Sequence, residues 1–317
     1  MEPAQAVVGD GQDVEPASEW GPSPQRPVRD VLRVARPKQW TKNLLVFVAP
    51  GAAGVLGHGR PALEAVGAFV IFCAAASATC FVNDTLDAAA DRAHPVKRHR
   101  PIAAGRVQPG LALSLAGVLF AAALVGAAFL SGWELVVVVA AYGAVTLSYS
   151  LWLKHQPVIE LTAVASGFVL RAIAGGVATH VPLSSWFLVV TSFGALFIVI
   201  GKRVGEHMTL GERRGAHRST LDLYTAQFLR SALTLAAAGA VTTYCLWAFE
   251  RGGLLRHGDH LVWIELSVVP VVTGVLYVLR ILDAGRGGAP SDLALHDRTL
   301  QVLALLWALL ISVGVYG

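Results

Sequence analysis

The sequence predicts an all-α polytopic membrane protein with about nine transmembrane helices. Hydrophobic residues make up 55% of the 317 positions, charged residues only 15%, and the mean hydropathy is +0.58. A soluble domain carries about 25% charged residues, so this composition is typical of a chain embedded in a bilayer. The apolar runs show no strand alternation at the spacing of a transmembrane β-barrel, which leaves helices as the spanning structure.

Nine apolar runs carry this prediction, and most are close to the roughly 20 residues that a helix needs to cross a bilayer. The first run is the weakest, because it is short and is interrupted by Pro50 and Gly51. In chain order, the runs cover residues 43–57, 62–82, 109–130, 133–150, 157–178, 184–202, 230–249, 261–280 and 298–315.

The first 25 residues differ in composition from the rest of the chain. They contain five acidic residues and no Lys or Arg. A signal peptide needs a basic start and an apolar middle, so we expect residues 1–25 to form a disordered acidic tail. Residues 26–317 are expected to form a single transmembrane catalytic domain. The three cysteines, Cys73, Cys80 and Cys245, lie inside apolar runs and are expected to pack there.

Basic residues give the expected orientation. Of the 25 Lys and Arg residues, only Arg60, Arg251 and Arg256 fall on the face opposite to the N-terminus. The positive-inside rule therefore places the N-terminus and the basic loops in the cytoplasm. Because the cations are spread over short loops of a polytopic chain, they argue against a nucleic-acid partner.

The stretch from Asn83 to Asp91 is the strongest functional signal. On a helix at 100° per residue, Asp84, Asp87 and Asp91 fall within roughly 60° of one another, on one face. Three carboxylates at the end of a membrane-length helix are costly in lipid, so they predict a wet cavity and a cationic ligand. Mg²⁺ is the natural ligand, because it prefers oxygen and often arrives with substrate phosphates. A solvated helix end is the alternative, but it does not account for the dense basic run that follows.

Cations on several segments are candidates for binding phosphate groups beside these acids. Arg offers a planar fork that matches phosphate oxygens, and Lys offers a point charge. The candidates are Lys38, Lys42, Lys97, Arg98, Arg100, Lys154, Arg171, Lys202 and Arg203, with Tyr149 and Glu206 as further hydrogen-bonding residues.

Some of these residues also have a structural interpretation. Lys38 and Lys42 could anchor a helix end at the membrane interface, and Lys202 could form an i,i+4 pair with Glu206. Arg171 lies deep enough in its run to need a partner or a cavity. Acids and bases at membrane depth on the cytoplasmic face together indicate an enzyme that joins a lipid to a charged, water-soluble partner.

The motif N-D-x-x-D-x-x-x-D, formed by Asn83, Asp84, Asp87 and Asp91, resembles the UbiA superfamily of intramembrane prenyltransferases. The D-R-x-x-x-x-K-R-x-R-P-I sequence that begins at Asp91 adds to this resemblance, which covers residues 30–317. It implies a UbiA-like bundle around a central cavity open to the cytoplasmic side and to membrane lipids. It also implies that these four residues hold Mg²⁺ on a diphosphate.

One departure from the superfamily pattern concerns the donor substrate. Most members carry a second Asp-rich motif on the sixth helix, whereas residues 201–206 read Gly-Lys-Arg-Val-Gly-Glu here. Fewer acids would hold a second ion poorly, and more bases would hold an additional phosphate well. Phosphoribosyl pyrophosphate, with a diphosphate and a separate phosphate, fits this pattern, and a simple prenyl diphosphate does not.

The R-P-K-Q-W-x-K-N sequence at residues 36–43 and Y-S-x-x-L-K-x-x-P-V-I-E-L at residues 149–161 resemble the decaprenyl-phosphate phosphoribosyltransferase branch. This resemblance implies transfer of 5-phosphoribose to decaprenyl phosphate at the plasma membrane, for cell-wall arabinan precursors, and allows a homo-oligomer. An aromatic prenyltransferase of the same superfamily stays open as an alternative. An anion transporter, expected to show inverted repeats with broken helices, is a further one. A structural scaffold would leave the in-phase acids unexplained.

Overall fold

The structure is a computed structural model that describes residues 27–210, 219–254, 260–285 and 296–316. The tail predicted for residues 1–25 lies outside them. All regular elements in these ranges are helical. The α-helices are α1 (Pro27–Ala35), α2 (Val48–Ala52), α3 (Gly59–Leu86), α4 (Ala88–Ala93), α5 (Pro109–Ser131), α6 (Trp133–Leu151), α7 (Ile159–Ala178), α8 (Ser185–Leu210), α9 (Ala226–Leu254), α10 (His260–Leu266), α11 (Val268–Asp283) and α12 (Arg298–Tyr316). Short 3₁₀ helices cover Pro37–Phe47, Val55–Gly57, Lys97–His99, Leu153–His155 and Ser219–Leu223.

Eight helical segments in the described part of the chain are long and apolar enough to cross a membrane. They are α3, α5, α6, α7, α8, α9, the pair α10–α11, and α12, and they correspond to the second to ninth predicted runs. The α10–α11 span is interrupted at Ser267. Pro270 accounts for this break, because it lacks the N–H that would bond to the carbonyl of Leu266 in a continuous helix.

The first predicted run is part of a more tightly wound segment. Pro37–Phe47 is a 3₁₀ helix of 11 residues, and α2 follows it directly. At about 2.0 Å rise per 3₁₀ residue and 1.5 Å per α residue, the segment is about 30 Å long, the thickness of a hydrocarbon core. Its two ends lie at opposite ends of the bundle: Arg36 contacts Asp84 near the end of α3, whereas the Gly51 carbonyl accepts a hydrogen bond from Tyr316. Within the described ranges, this segment is therefore a ninth crossing, and it is not an ordinary α-helix.

A close backbone approach holds this 3₁₀ helix in the bundle. A Cβ atom on Gly175 of α7 would overlap the carbonyl group of Val46. Ala174 and Ala178, on the same helix, are fully buried in one cluster with Val46. Small residues on α7 thus let the backbone of the 3₁₀ helix lie directly against it, as small residues do between membrane helices.

One end of the bundle gathers the elements that carry the predicted site. The ends of α3, α6 and α8 lie there together with the starts of α7 and α9, because contacts join Lys154 to Asp87, Arg203 to Glu160, and Tyr224 to Val158. Below this end, apolar side chains form two large clusters, one between α3, α5, α6 and α7 and one between α7, α8, α9 and α11. The site is therefore the polar end of an otherwise apolar bundle.

Candidate active site

The three aspartates share one helical face, as their spacing predicts. Although α3 ends at Leu86, the Asp87 N–H donates to the Asn83 carbonyl at 2.9 Å and the Asp91 N–H to the Asp87 carbonyl at 2.8 Å. The helical register therefore continues across the junction with α4. Asp84 and Asp91 are buried, with 2% and 4% of their surfaces exposed, and Asp87 is more accessible.

Cations from three separate segments pair with these carboxylates. Asp84 Oδ1 accepts hydrogen bonds from Arg36 Nη2 at 2.5 Å and from Arg100 Nη1 at 3.3 Å. The same Arg100 nitrogen donates to Asp91 Oδ2 at 2.7 Å. Lys154 Nζ lies 2.5 Å from Asp87 Oδ1. The sequence prediction that acids and bases lie side by side is met by direct contacts, although Arg36 was not among the predicted residues.

The aspartate cluster offers oxygen ligands for a divalent ion but not a closed cage. Within the described residues, no three His, Cys, Asp or Glu side chains converge closely enough to form a ready-made metal cage. The donor set itself fits Mg²⁺, because carboxylate oxygens and the amide oxygen of Asn83 are hard ligands. The amide nitrogen of Asn83 already donates to Asp87 Oδ2 at 3.1 Å, which leaves the amide oxygen for a ligand. An ion at this place would share the carboxylates with Arg100 and Lys154.

A second group of cations lies beside the aspartate cluster. Lys42 lies on the 3₁₀ helix Pro37–Phe47, within electrostatic range of Lys202, Arg171 and Arg36. The Lys42 side chain is exposed to solvent. Lys202 is half exposed and lies 3.8 Å from Glu206, so the predicted i,i+4 pair forms only loosely.

Arg171 is buried in the middle of α7, and neutral groups satisfy it. Its Nε donates to Asn43 Oδ1 at 2.6 Å, Nη1 to the Gly167 carbonyl at 2.5 Å, and Nη2 to the Tyr142 hydroxyl at 3.0 Å. The guanidinium also lies 4.7 Å from the centroid of the Tyr142 ring. Among the described residues, no carboxylate contacts Arg171. A buried cation without an acidic partner is costly, and an anionic ligand would compensate it.

Arg203 has the opposite environment. Its Nε and Nη2 each donate to Glu160 at 2.8 Å, in a pair that is almost fully buried, and Nη1 donates to Glu206 at 2.9 Å. Tyr149 lies within electrostatic range of this group. Arg203 was predicted to bind phosphate, but two carboxylates already pair with its guanidinium. Through its hydrogen bond to Glu206, Arg203 also positions that side chain.

The remaining predicted cations lie farther out. Lys38 and Arg98 are exposed and Lys97 is half-buried; no hydrogen bond or ion pair within the described ranges joins them to the aspartates. Two contributors were missed at the sequence level, Arg36 and Asn43. Both lie in the R-P-K-Q-W-x-K-N segment, which was the available signal, but their partners are 48 and 128 residues away in the chain.

Comparison with known proteins decides the family of this bundle. The model of the UbiA prenyltransferase family matches residues 44–315. The chain belongs to this family. Two relatives of this UbiA-family protein are named decaprenyl-phosphate phosphoribosyltransferase. The one from Mycobacterium tuberculosis (strain H37Rv) is 46% identical over 297 residues, which cover 92% of this chain and 96% of the relative. The one from Corynebacterium glutamicum is 45% identical over 292 residues, which cover 90% and 86%.

Solved structures confirm the family fold. A UbiA homolog from Archaeoglobus fulgidus bound to DMAPP and Mg²⁺ superposes with a TM-score of 0.68 at 17% identity, covering 90% of this chain and 97% of that one. The same homolog bound to GPP and Mg²⁺ gives a TM-score of 0.67 at 18% identity, covering 90% and 98%. The predicted family and the predicted all-α, multi-pass membrane fold are both correct.

Proposed function

We propose that this UbiA-family protein transfers 5-phosphoribose from phosphoribosyl pyrophosphate to decaprenyl phosphate, or a similar polyprenyl phosphate, and releases diphosphate. One observation in the site carries the proposal. Beside the aspartates and their paired cations lies a second cationic group, Lys42, Arg171 and Lys202, in which Arg171 has no carboxylate partner among the described residues. Two such groups suit a donor with a diphosphate at one end and a phosphate at the other. The relatives with 44–46% identity support the same reaction by their names.

The aspartate cluster is the proposed diphosphate end. Asn83, Asp84, Asp87 and Asp91 would hold Mg²⁺, which when bound neutralises charge on the leaving diphosphate. Arg100 and Lys154 are long, partly exposed side chains, so they can turn from the carboxylates to diphosphate oxygens. Such donors, aimed at the charge that develops on the leaving group, would stabilise the transition state.

The second cationic group is the proposed site of the remaining phosphate. Arg171 and Lys42 would bind the 5-phosphate of the donor or the phosphate of the lipid, and Lys202 would add a third positive charge at the solvent side. Glu206 accepts from Arg203 and lies near Tyr149 in the same region. These two side chains are suited to hydrogen bonds with ribose hydroxyls, and in this proposal Arg203 and Glu160 position Glu206 rather than bind phosphate.

The bond changes need no strong base from the protein. The bond between ribose C1 and the diphosphate oxygen breaks, and a lipid phosphate oxygen forms the new bond to C1 from the opposite face. A phosphate monoester is already anionic near neutral pH, so no proton has to be removed before attack. The side chains in this region are cations and metal-type ligands, which suits a reaction driven by leaving-group stabilisation and by positioning.

The orientation and extent of the catalytic unit are part of the proposal. The positive-inside distribution supports a cytoplasmic N-terminus and a site open to cytoplasmic metabolites at the plasma membrane. The family match over residues 44–315 supports a single transmembrane catalytic domain.

The test is a transfer assay with the purified protein in detergent, given labelled phosphoribosyl pyrophosphate, decaprenyl phosphate and Mg²⁺. We expect label in a lipid-extractable product and an equal amount of released diphosphate. A parallel reaction contains polyprenyl diphosphate and an aromatic acid. Product in that reaction alone would identify an aromatic prenyltransferase and refute the proposal. Uptake of labelled anion into proteoliposomes without lipid product would indicate a transporter instead.

A further inference from the structure

A strained turn lies between two of the site elements. Val158 has φ 67° and ψ −50°, and the Ile159 N–H donates to the Pro157 carbonyl at 2.7 Å across it. This is a γ-turn of the rare, strained kind, with a β-branched residue in a region of backbone space that favours glycine. Of the described non-glycine residues, only Arg36, Val158 and His180 have positive φ. Such strain persists only where the surrounding structure enforces it.

A buried tyrosine from another segment holds this turn. The Val158 N–H donates to the Tyr224 hydroxyl at 2.7 Å. Only 4% of Tyr224 is exposed; its ring stacks on Phe228 at 5.6 Å, and its carbonyl lies 3.2 Å from His207 Nε2. The Tyr224 hydroxyl, whose pKa burial raises above its ordinary value of 10.0, is neutral and accepts the Val158 N–H. Tyr224 is therefore a buried, well-packed residue whose hydroxyl stabilises the strained turn at Val158.

The turn sets the direction of the chain between two charged side chains of the site. Four residues before Val158, Lys154 contacts Asp87 from the 3₁₀ turn Leu153–His155. Two residues after it, Glu160 lies in the first turn of α7 and binds Arg203. If the turn relaxed to negative φ, the segment before it would leave α7 in a different direction. Lys154 would then move away from Asp87, whereas Glu160 would keep its position on α7 and its contact with Arg203.

We propose that Tyr224 is a positioning residue, whose hydroxyl holds the Val158 γ-turn so that Lys154 reaches the aspartate cluster. The kinetic part of this inference rests on the proposed function, since it concerns how Lys154 meets the diphosphate. The structural part does not depend on the substrate. Tyr224 itself has no part in binding substrate in this account.

The first test measures Lys154 directly. Purified wild-type protein and Y224F, which lacks only the hydroxyl, are treated with a limiting amine-acylating reagent, and modification of each lysine is followed by mass spectrometry. We expect Lys154 to react several times faster in Y224F, with Lys97 as the internal reference. V158G in the Y224F background should return Lys154 to the wild-type rate, because glycine adopts a positive φ without strain. An unchanged Lys154 rate in Y224F, or no rescue by glycine, would overturn the inference.

The second test measures whether Tyr224 acts through Lys154. Y224F should raise the KM for phosphoribosyl pyrophosphate by about tenfold, the loss of roughly one charged hydrogen bond, with little change in kcat. In a double-mutant cycle, adding Y224F to K154M should change KM no further. Additive effects would mean that Tyr224 acts by another route and would refute the proposal.

A matched control separates positioning from general destabilisation. Tyr244 is also buried, and its hydroxyl bonds to Ser267 at 2.6 Å and to Trp307 at 2.7 Å, away from the site. Y244F should lower thermal stability without changing the Lys154 rate or KM. If the acylation rate of Lys154 rose by the same factor in Y244F, the effect of Y224F would be due to general loosening of the bundle, and the inference would be wrong. If the transfer assay fails with every variant, the labelling experiment still decides the role of Tyr224, so failure of the proposed function is distinguishable.

Discussion

Two buried arginines in adjacent helices should respond to the same substitution in opposite ways. Arg203 is matched by Glu160, which is fully buried, and by Glu206, whereas Arg171 contacts only neutral groups in the described structure. Replacing either by methionine removes the charge and keeps much of the volume. The consequence for stability depends on what each substitution leaves behind.

In R203M, the carboxylate of Glu160 stays buried and loses two hydrogen bonds of 2.8 Å. Breaking a buried pair from one side costs about 3–5 kcal/mol, and about 3 kcal/mol corresponds to a change of more than 100-fold in the unfolding constant. Replacing both residues, as in E160M/R203M, removes both charges and should recover most of the loss.

In R171M, no charge is left unpaired. Three neutral acceptors lose a donor, at a cost of about 1–3 kcal/mol, while removal of an uncompensated buried cation offsets that cost. We therefore expect unfolding within about 1 kcal/mol of wild type, the usual size of a small mutational effect. Turnover should fall sharply, because a charged hydrogen bond to substrate contributes about 1.5–3 kcal/mol, or roughly 10- to 150-fold.

The assay is denaturant-induced unfolding in detergent, paired with KM and kcat for both substrates. R230M is the control for a surface ion pair, because Arg230 and Asp283 are exposed and 3.8 Å apart. Such a pair contributes about 0–1 kcal/mol. A stable R203M with a raised KM, together with an R171M that unfolds, would reverse the two assignments and refute this reasoning.

Three further predictions concern the site and its frame. In D87N, turnover should fall by at least about 100-fold, the order expected for losing a metal-binding or transition-state contact. Membrane insertion should be unchanged. A wild-type rate in D87N would show that Asp87 is not part of the site. G175A should force the 3₁₀ helix off α7 and destabilise the fold by about 1–3 kcal/mol or more in thermal unfolding, because the added methyl meets backbone rather than a movable side chain. R36Q should raise the KM for phosphoribosyl pyrophosphate several-fold, whereas R33Q, on an exposed side chain, should not; equal effects would mean that surface charge alone steers the substrate.

Local sequence patterns were sufficient to predict the membrane spans and which residues share a helical face. Helical periodicity predicted that Asp84, Asp87 and Asp91 share a face, because the backbone hydrogen bonds keep register through the junction. Hydropathy identified the eight ordinary α-helical spans of the described part of the chain, since each must place about 20 apolar residues in the bilayer. The depth of Arg171 in its apolar run also indicates, from the sequence alone, a partner or a cavity for its charge.

Pairing between distant segments could not be read from such patterns. Arg203 looked like a free phosphate ligand, but Glu160, 43 residues earlier, binds it through two hydrogen bonds. Arg36 was not among the predicted site residues, but it contacts Asp84, 48 residues later in the chain, from an αL conformation with φ 53°. Each pairing is set by how helices pack in three dimensions, which a single sequence does not state.

The first membrane crossing, which contains the 3₁₀ helix Pro37–Phe47, shows that helix type also could not be predicted from local sequence. Hydropathy found an apolar run at residues 43–57 but treated it as a short, broken α-helix. The tighter winding of Pro37–Phe47 extends the crossing upstream to Arg36, and the backbone of this 3₁₀ helix fits directly against Gly175 on α7. Because this fit involves a residue more than 120 positions away, neither the winding nor the true start of the crossing was predictable locally.

The most direct measurement is equilibrium binding of labelled phosphoribosyl pyrophosphate to the purified wild-type protein, with Mg²⁺ and with excess chelator. We predict saturable binding that requires Mg²⁺, is lost in a variant that carries both D84N and D87N, and is competed by inorganic diphosphate. Binding of equal affinity with chelator, or in the doubly substituted variant, would contradict the claim that the aspartates hold the metal–diphosphate end of the donor.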